Sequence, residues 1–499
     1  MAEHFISIDD AGSDLLAAAT YLAEDISGSD DRAEAIAAVV PRYLARGEVD
    51  LAAELANSVD DPHVRDRLLI SVAQKCAETD DDEYALQLAD AIEEYGLQSQ
   101  ARETIALVKA QNGDFVKARQ IIDSAAHPDR VLAGIAVRQA ESGDEEGATQ
   151  TLSEIDYPAS SVAALLAMAG MRIEKEDIER AAEYLDTASV VALEIEHDVE
   201  RIRMLVEVAG AYGDAGRKGE AIGSLEKARS YAEAMDSVQR DGLLASVSLG
   251  FLRVGSVDLA DRTLDAVADK TQIATVLLGF ARDYWQRGEK GEAIEALDEA
   301  YDILRSQRES ETRDSKAKFA LFGTISAQFA GFQRGERAIE VAESIEDDEQ
   351  VMSALGQVAR ILTTQGNEDQ ARQALNAIAM DQNRAFALIG MSDAAAKEGD
   401  TEKAKTLLNE AAALIEEVPQ MSARSAALGE IVGRFVELGD LGHAGEIASV
   451  NIATISEIRG ESTKAIALAN LAGLFDASEL ALTEADRAIL RESAERSGL

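Results

Sequence analysis

The stretch RVLAGIAVRQAESGDEEGATQTLSEI, residues 130–155, decides the fold. Apolar residues recur every three or four positions from Val131 to Ala140, and again from Ala148 to Ile155, which is helical spacing on both sides of Gly143. A glycine between two such segments takes the left-handed backbone that ends one helix and reverses the chain, at no steric cost. The acidic residues after it, Asp144 to Glu146, suit the positive end of the dipole of the second helix. Ala148 is small, as needed where two antiparallel helices approach closely.

The same phrase returns along the chain. It reads GDFVKARQI from Gly113, GNEDQARQAL from Gly366 and GDTEKAKTLL from Gly399. Its alanine falls at Ala52, Ala85, Ala118, Ala148, Ala181, Ala221, Ala260, Ala293, Ala338, Ala371, Ala404 and Ala444, in steps of 33, 33, 30, 33, 40, 39, 33, 45, 33, 33 and 40 residues. Glycine sits five residues before this alanine in nine of the twelve copies. Periods of this size mean stacked supersecondary units, each too small to bury its apolar face alone. The longer steps follow Ala181, Ala221, Ala293 and Ala404, where the second helix is expected to run on for extra turns, as in AAEYLDTASVVALEIE.

These residues resemble the tetratricopeptide repeat. Ala209, Tyr212, Gly216, Ala221, Leu225 and Ala228 match its pattern in one copy, and Ala281, Tyr284, Gly288, Ala293, Leu297 and Ala300 in another. The large residue opening the first helix (helix A) is Leu132, Leu205, Leu244, Leu277, Leu355, Leu388 or Leu428. The pattern departs from the family where Lys109 and Gln139 replace the helix-A aromatic. An Asp-rich turn, such as Asp60-Asp61 or Asp156, also stands in for the usual proline after helix B. The resemblance implies an all-α, right-handed α-solenoid of about twelve antiparallel helix-turn-helix repeats over residues 31–460. Residues 1–30 read as an N-terminal capping helix, with a lone helix over Ser13–Ile26. Residues 461–499 read as C-terminal capping helices, the last opened by an approximate capping box at Thr483 and Asp486 and ending in a solvent-facing, charged ESAERSG.

Composition narrows the class. The chain has 499 residues, 93 acidic against 48 basic, a formal net charge of −45, and Arg in more than twofold excess over Lys. Such a surface resembles that of proteins from salt-accumulating halophiles. At molar salt the Debye length falls to roughly 3 Å, and self-repulsion is screened. The acidity therefore reports either the solvent or a basic partner. Nucleic acid is disfavoured for want of a basic stripe. A pentatricopeptide-like RNA reader would also need a polar base-reading code, which the predicted groove lacks. The single Cys76 rules out an intrachain disulfide or a CxxC site. No run approaches 18 apolar residues and no charged-then-apolar leader opens the sequence, so no membrane insertion and a cytoplasmic location are expected.

Chemistry is sparse. His4, His63, His127, His197 and His443 are scattered, no HExxH, GxxxxGK[ST] or GxGxxG occurs, and no cofactor, metal site or enzymatic activity is expected. In the resembled family a partner lies in the groove lined by helix A. Mapped onto this chain, that groove takes in Arg67, Gln74, Glu103, Arg130, Arg203, Arg282, Trp285, Arg360, Phe386 and Asp393. Trp and Arg are the usual interface anchors. Trp285 could equally plug a junction between repeats. Arg130 and Arg203, near helix N-termini where a lone cation is disfavoured, are expected to pair with carboxylates of the adjacent helix B. The family's carboxylate clamp is missing, since Glu103 and Leu107, Ala133 and Val137, or Ala163 and Gly170 stand at its positions. The resemblance implies a scaffold or adaptor for an unknown protein or peptide partner. A structural subunit of a larger assembly fits the same sequence, and oligomeric state is not encoded legibly.

Overall fold

In a computed structural model, residues 4–122, 128–307 and 315–497 are described. Among them every regular element is helical, and the fold is an all-α solenoid of helical repeats. Twelve helix pairs follow one another, from Ser29–Arg46 with Val49–Asn57 to Met421–Glu437 with Leu441–Ser456.

The turn inside each pair explains the repeat. All nine turn glycines are left-handed, with φ from 69° to 90°. At Gly143 the cap is a Schellman motif: the amide of Gly143 donates to Ala140 O (3.3 Å) and that of Asp144 to Gln139 O (2.9 Å). In the three copies without glycine the same position is held by Asp80 (φ 62°), Glu176 (φ 60°) and Gln333 (φ 60°), which keep the left-handed turn despite carrying a Cβ. Asp144 then caps the second helix, its side chain accepting from the Gly147 amide at 3.0 Å, and Asp81, Asp177, Asp400 and Asp440 do the same in their own copies.

Packing follows from the small residues. All twelve repeat alanines are buried, none more than 1% exposed. Helix B is short in most copies, as in Glu145–Leu152, and long where the sequence steps lengthen, as in Ile178–Val191, Lys218–Ala234, Lys290–Ser306 and Thr401–Glu416. Tyr212, the helix-A aromatic, is buried and donates to Asp186 Oδ1 at 2.7 Å; burial, then that carboxylate, pushes its phenol well above the usual range. Where Gln139 replaces the aromatic, its side chain accepts from Thr151 Oγ1 at 2.7 Å inside the hairpin. The turns between repeats use aspartate in a way the sequence does not announce. Buried Asp66 accepts the amides of Glu93 (3.1 Å) and Glu94 (3.0 Å), and Asp129 and Asp241 hold the turns at Asp156–Tyr157 and Ala268–Asp269 likewise.

The chain divides into two compact units. In Arg102–Phe332, consecutive helix-A elements pack side by side from Asp129–Ser142 through Pro158–Glu174, Asp198–Asp214, Arg240–Arg253 and Lys270–Gln286 to Ser315–Gly331. One apolar cluster runs continuously from Ala140 to Phe280.

The other unit, Met1–Ala101 with Gln333–Leu499, joins the N-terminal and C-terminal helices. Its helix-A row runs Asp348–Thr364, Asp381–Lys397, Met421–Glu437, Glu461–Asp476, then Ser29–Arg46 and Pro62–Glu78. Helix Leu15–Asp25 lies against Glu461–Asp476 as a helix B does in an ordinary repeat, and also packs on Ser29–Arg46 and Glu484–Ser497. A thirteenth hairpin is thus assembled from segments far apart in sequence. Arg46 fastens it, donating from Nε to Asp476 (2.8 Å) and from Nη2 to Asp14 (3.0 Å). The terminal helices, expected from sequence as separate caps, pack on each other in this unit: Leu490, Ser493 and Ala494 are buried, while Glu492, Glu495 and Arg496 are exposed. The Thr483–Asp486 capping box is reciprocal, each backbone amide donating to the other's side chain.

Candidate functional site

The helix-A positions named from sequence are exposed where helices stand side by side. Arg67, Gln74, Arg130, Arg203, Arg282 and Arg360 are all solvent-exposed, and Phe386 is 41% exposed, unusual for so large an apolar ring. Glu103, expected in the same groove, is buried instead. Asp393 accepts from Arg434 Nε at 3.1 Å, so this groove carboxylate is already engaged.

The chain's arginines divide into those that reach a carboxylate and those that do not, the latter including the exposed Arg262, Arg305, Arg334 and Arg459 as well as helix-A positions. Arg46, Arg172, Arg180, Arg253, Arg372 and Arg434 each reach a carboxylate. Arg67, Arg130, Arg203, Arg282 and Arg360 form no ion pair with any described residue. The expected pairing of Arg130 and Arg203 with helix B is therefore corrected: both are exposed and form no ion pair. An unpaired cation in the first turn, as at Arg130 in Asp129–Ser142, opposes the helix dipole and gains nothing from the fold.

Trp285 is only half-buried and stacks on Phe332, ring centroids 4.3 Å apart and planes 8° from parallel, with Lys290 Nζ 5.0 Å from its ring. The contact joins residues of successive repeats, which is the geometry of a packing residue. Arg282, one turn before it, remains exposed.

Two predicted groove residues come together. Arg360 and Phe386 line one depression of about 320 Å³ between Asp348–Thr364 and Asp381–Lys397, with Met352, Gln357 and Asn383. Arg203 lines a broader hollow of about 800 Å³ in the other unit, whose walls include Asp241, Asp269 and Lys270. A third depression, about 770 Å³, opens between Met421–Glu437 and Glu461–Asp476, where Gly429 and Gly433 leave space. Arg42 from the N-terminal segment closes its edge, its guanidinium lying where a Cβ on Gly473 would be only 2.5 Å away. Sequence reasoning missed this place, since no local signal brings residue 42 to residue 473.

No group of three or more His, Cys, Asp or Glu among the described residues could hold a metal ion. His4 sits between Glu24 and Asp25, His63 near Glu94 and His443 at Asp440, far apart along the chain, while His127 lies outside the described residues. No helix among the described residues is long and apolar enough to cross a membrane.

No family model matches the chain, and no curated protein matches it. Among solved structures it is similar to Ton1535 from Thermococcus onnurineus NA1, at 16% identity over 73% of this chain and 98% of that one, with a TM-score of 0.25. It is also similar to the TPR-like repeats of a putative kinesin light chain from Podosopora anserina (19% identity, 37% and 95% covered, TM-score 0.25). A third likeness is to the apo form of the quorum sensor NprR from B. thuringiensis (14% identity, 72% and 100% covered, TM-score 0.26). At such scores none of these fixes how this chain's repeats are arranged.

Proposed function

We propose that the protein is a non-enzymatic scaffold that holds a segment of another protein against its helix-A face, in a salt-rich cytoplasm. One observation carries the reading. In a chain with 93 acidic residues, five exposed helix-A arginines, Arg67, Arg130, Arg203, Arg282 and Arg360, remain without a carboxylate. Arginine gives planar, bidentate recognition and recurs at interface anchors. Intramolecular pairing would cost little on so acidic a surface, so five vacant guanidinium groups at equivalent helical faces fit contacts made to another molecule.

The test is capture from extract at about 2 M KCl, with the intact protein and a variant carrying Arg→Glu at all five positions, since at that ionic strength only close contacts survive screening. A partner retained by the first and lost from the second, with the variant's melting temperature unchanged, is the expected outcome. Identical capture by both proteins would overturn the reading.

A further inference from the structure

The depression between Asp348–Thr364 and Asp381–Lys397 has a composition unlike the rest of this surface. Arg360 is the one ionisable residue lining it; the others are apolar, amide, hydroxyl or glycine. The Arg360 stem lies across the neighbouring helix at Gly390, where a Cβ would sit 3.5 Å from Arg360 Cδ. Arg253 offers the comparison. Its guanidinium, rather than its stem, lies over Gly210, with Nη1 2.8 Å from where a Cβ would be, and it donates to Asp214, four residues along from that glycine. Four residues from Gly390, on either side, stand Phe386 and Ala394, and Asp393, three residues along, is already taken by Arg434. Arg360 itself forms no ion pair with any described residue.

We infer that this depression binds a peptide segment pairing an acidic side chain with an adjacent apolar one, the carboxylate on Arg360 and the apolar group against Phe386 and Met352. Charge complementarity selects the acid. The exposed Phe386 ring, beside an Arg in a small hollow, has the make-up of a binding anchor. Gln357 and Asn383 supply amides at the edge for the backbone of the segment. The inference rests on the helix-A face being the binding face, and adds what the partner must present there.

The experiment is selection of a randomised hexapeptide phage library on the full chain in about 2 M KCl, in parallel with Arg360→Met and Phe386→Ser, both exposed positions where folding is insensitive to substitution. Intact protein should enrich peptides with Asp or Glu beside an aliphatic or aromatic residue. Arg360→Met should lose the acidic preference but keep the apolar one. For an enriched peptide, replacing the acid by its amide should weaken binding to the intact protein by about tenfold, as for one charge-assisted pair, and leave binding to Arg360→Met unchanged. Enrichment of peptides without an acid, or an acid preference that survives in Arg360→Met, overturns this proposal and leaves the scaffold reading standing. No enrichment on any of the three proteins counts against both.

Discussion

At the scale of single residues, the backbone reveals which positions carry strain. Asp80, Glu176 and Gln333 hold left-handed turns that glycine fills elsewhere. An L-residue there costs roughly 1 kcal/mol, part of which glycine returns as unfolded-state entropy. Each of Asp80→Gly, Glu176→Gly and Gln333→Gly should therefore stabilise its repeat by about 0.5 kcal/mol, and Gly366→Ala should cost about 1 kcal/mol. Urea midpoints in molar salt would check both signs. The nine glycine turns were legible in the sequence because spacing and residue type agree. The other three show only in the dihedral angles, since nothing in Glu176 itself announces φ > 0. Cys76 gives a second prediction. Burial pushes its thiol up to about 11, so alkylation at pH 8 should proceed only as fast as the repeat opens, which thiol labelling against hydrogen exchange would measure. The sign of the pH effect follows. The unfolded thiol ionises from about pH 9 and the folded one only near 11, so its stabilising contribution is intact below pH 9 and lost across that interval.

Among the helices, Leu15–Asp25 decides how the array is completed. The sequence LLAAATYLAED reads as a lone capping helix before the first repeat; in the structure Leu16 and Ala19 are fully buried and Leu15, Leu22 and Ala23 nearly so. The signal was present: a helix apolar on nearly all sides belongs inside a structure, whereas a cap keeps one polar face. What no local pattern could supply was the partner, Glu461–Asp476, over 400 residues away in sequence. Leu16→Ala should cost about 2–5 kcal/mol. Deleting residues 1–28 should lower the melting temperature, and a peptide of residues 4–28 added in trans should restore it. A deletion that melts like the intact chain would show that the thirteenth hairpin adds nothing to stability.

For the molecule as a whole, the governing quantity is a formal charge of −45. Ion pairs such as Arg372–Glu410 and Lys405–Asp440 are local and engage only a minority of the carboxylates. The remainder repel across the surface unless salt screens them. Circular dichroism on dilution from about 2 M to about 20 mM KCl should show helicity lost; equal spectra at both ends would tie the acidity to something other than the solvent. The helix-A arginines were placed by the repeat pattern, which fixes the face a residue occupies. Their lack of partners was not legible, because pairing depends on side chains that the repeat leaves free to vary.

The shared hairpin also sets an order of events during synthesis. Helix Leu15–Asp25 leaves the ribosome well before its natural cover, which is made more than 400 residues later. At roughly 5–20 residues per second, about twenty to ninety seconds pass with this greasy helix unsheltered. Holding factors that shield nascent chains would find their target there. The last step of folding cannot precede translation of residue 476, however quickly the repeats in between assemble.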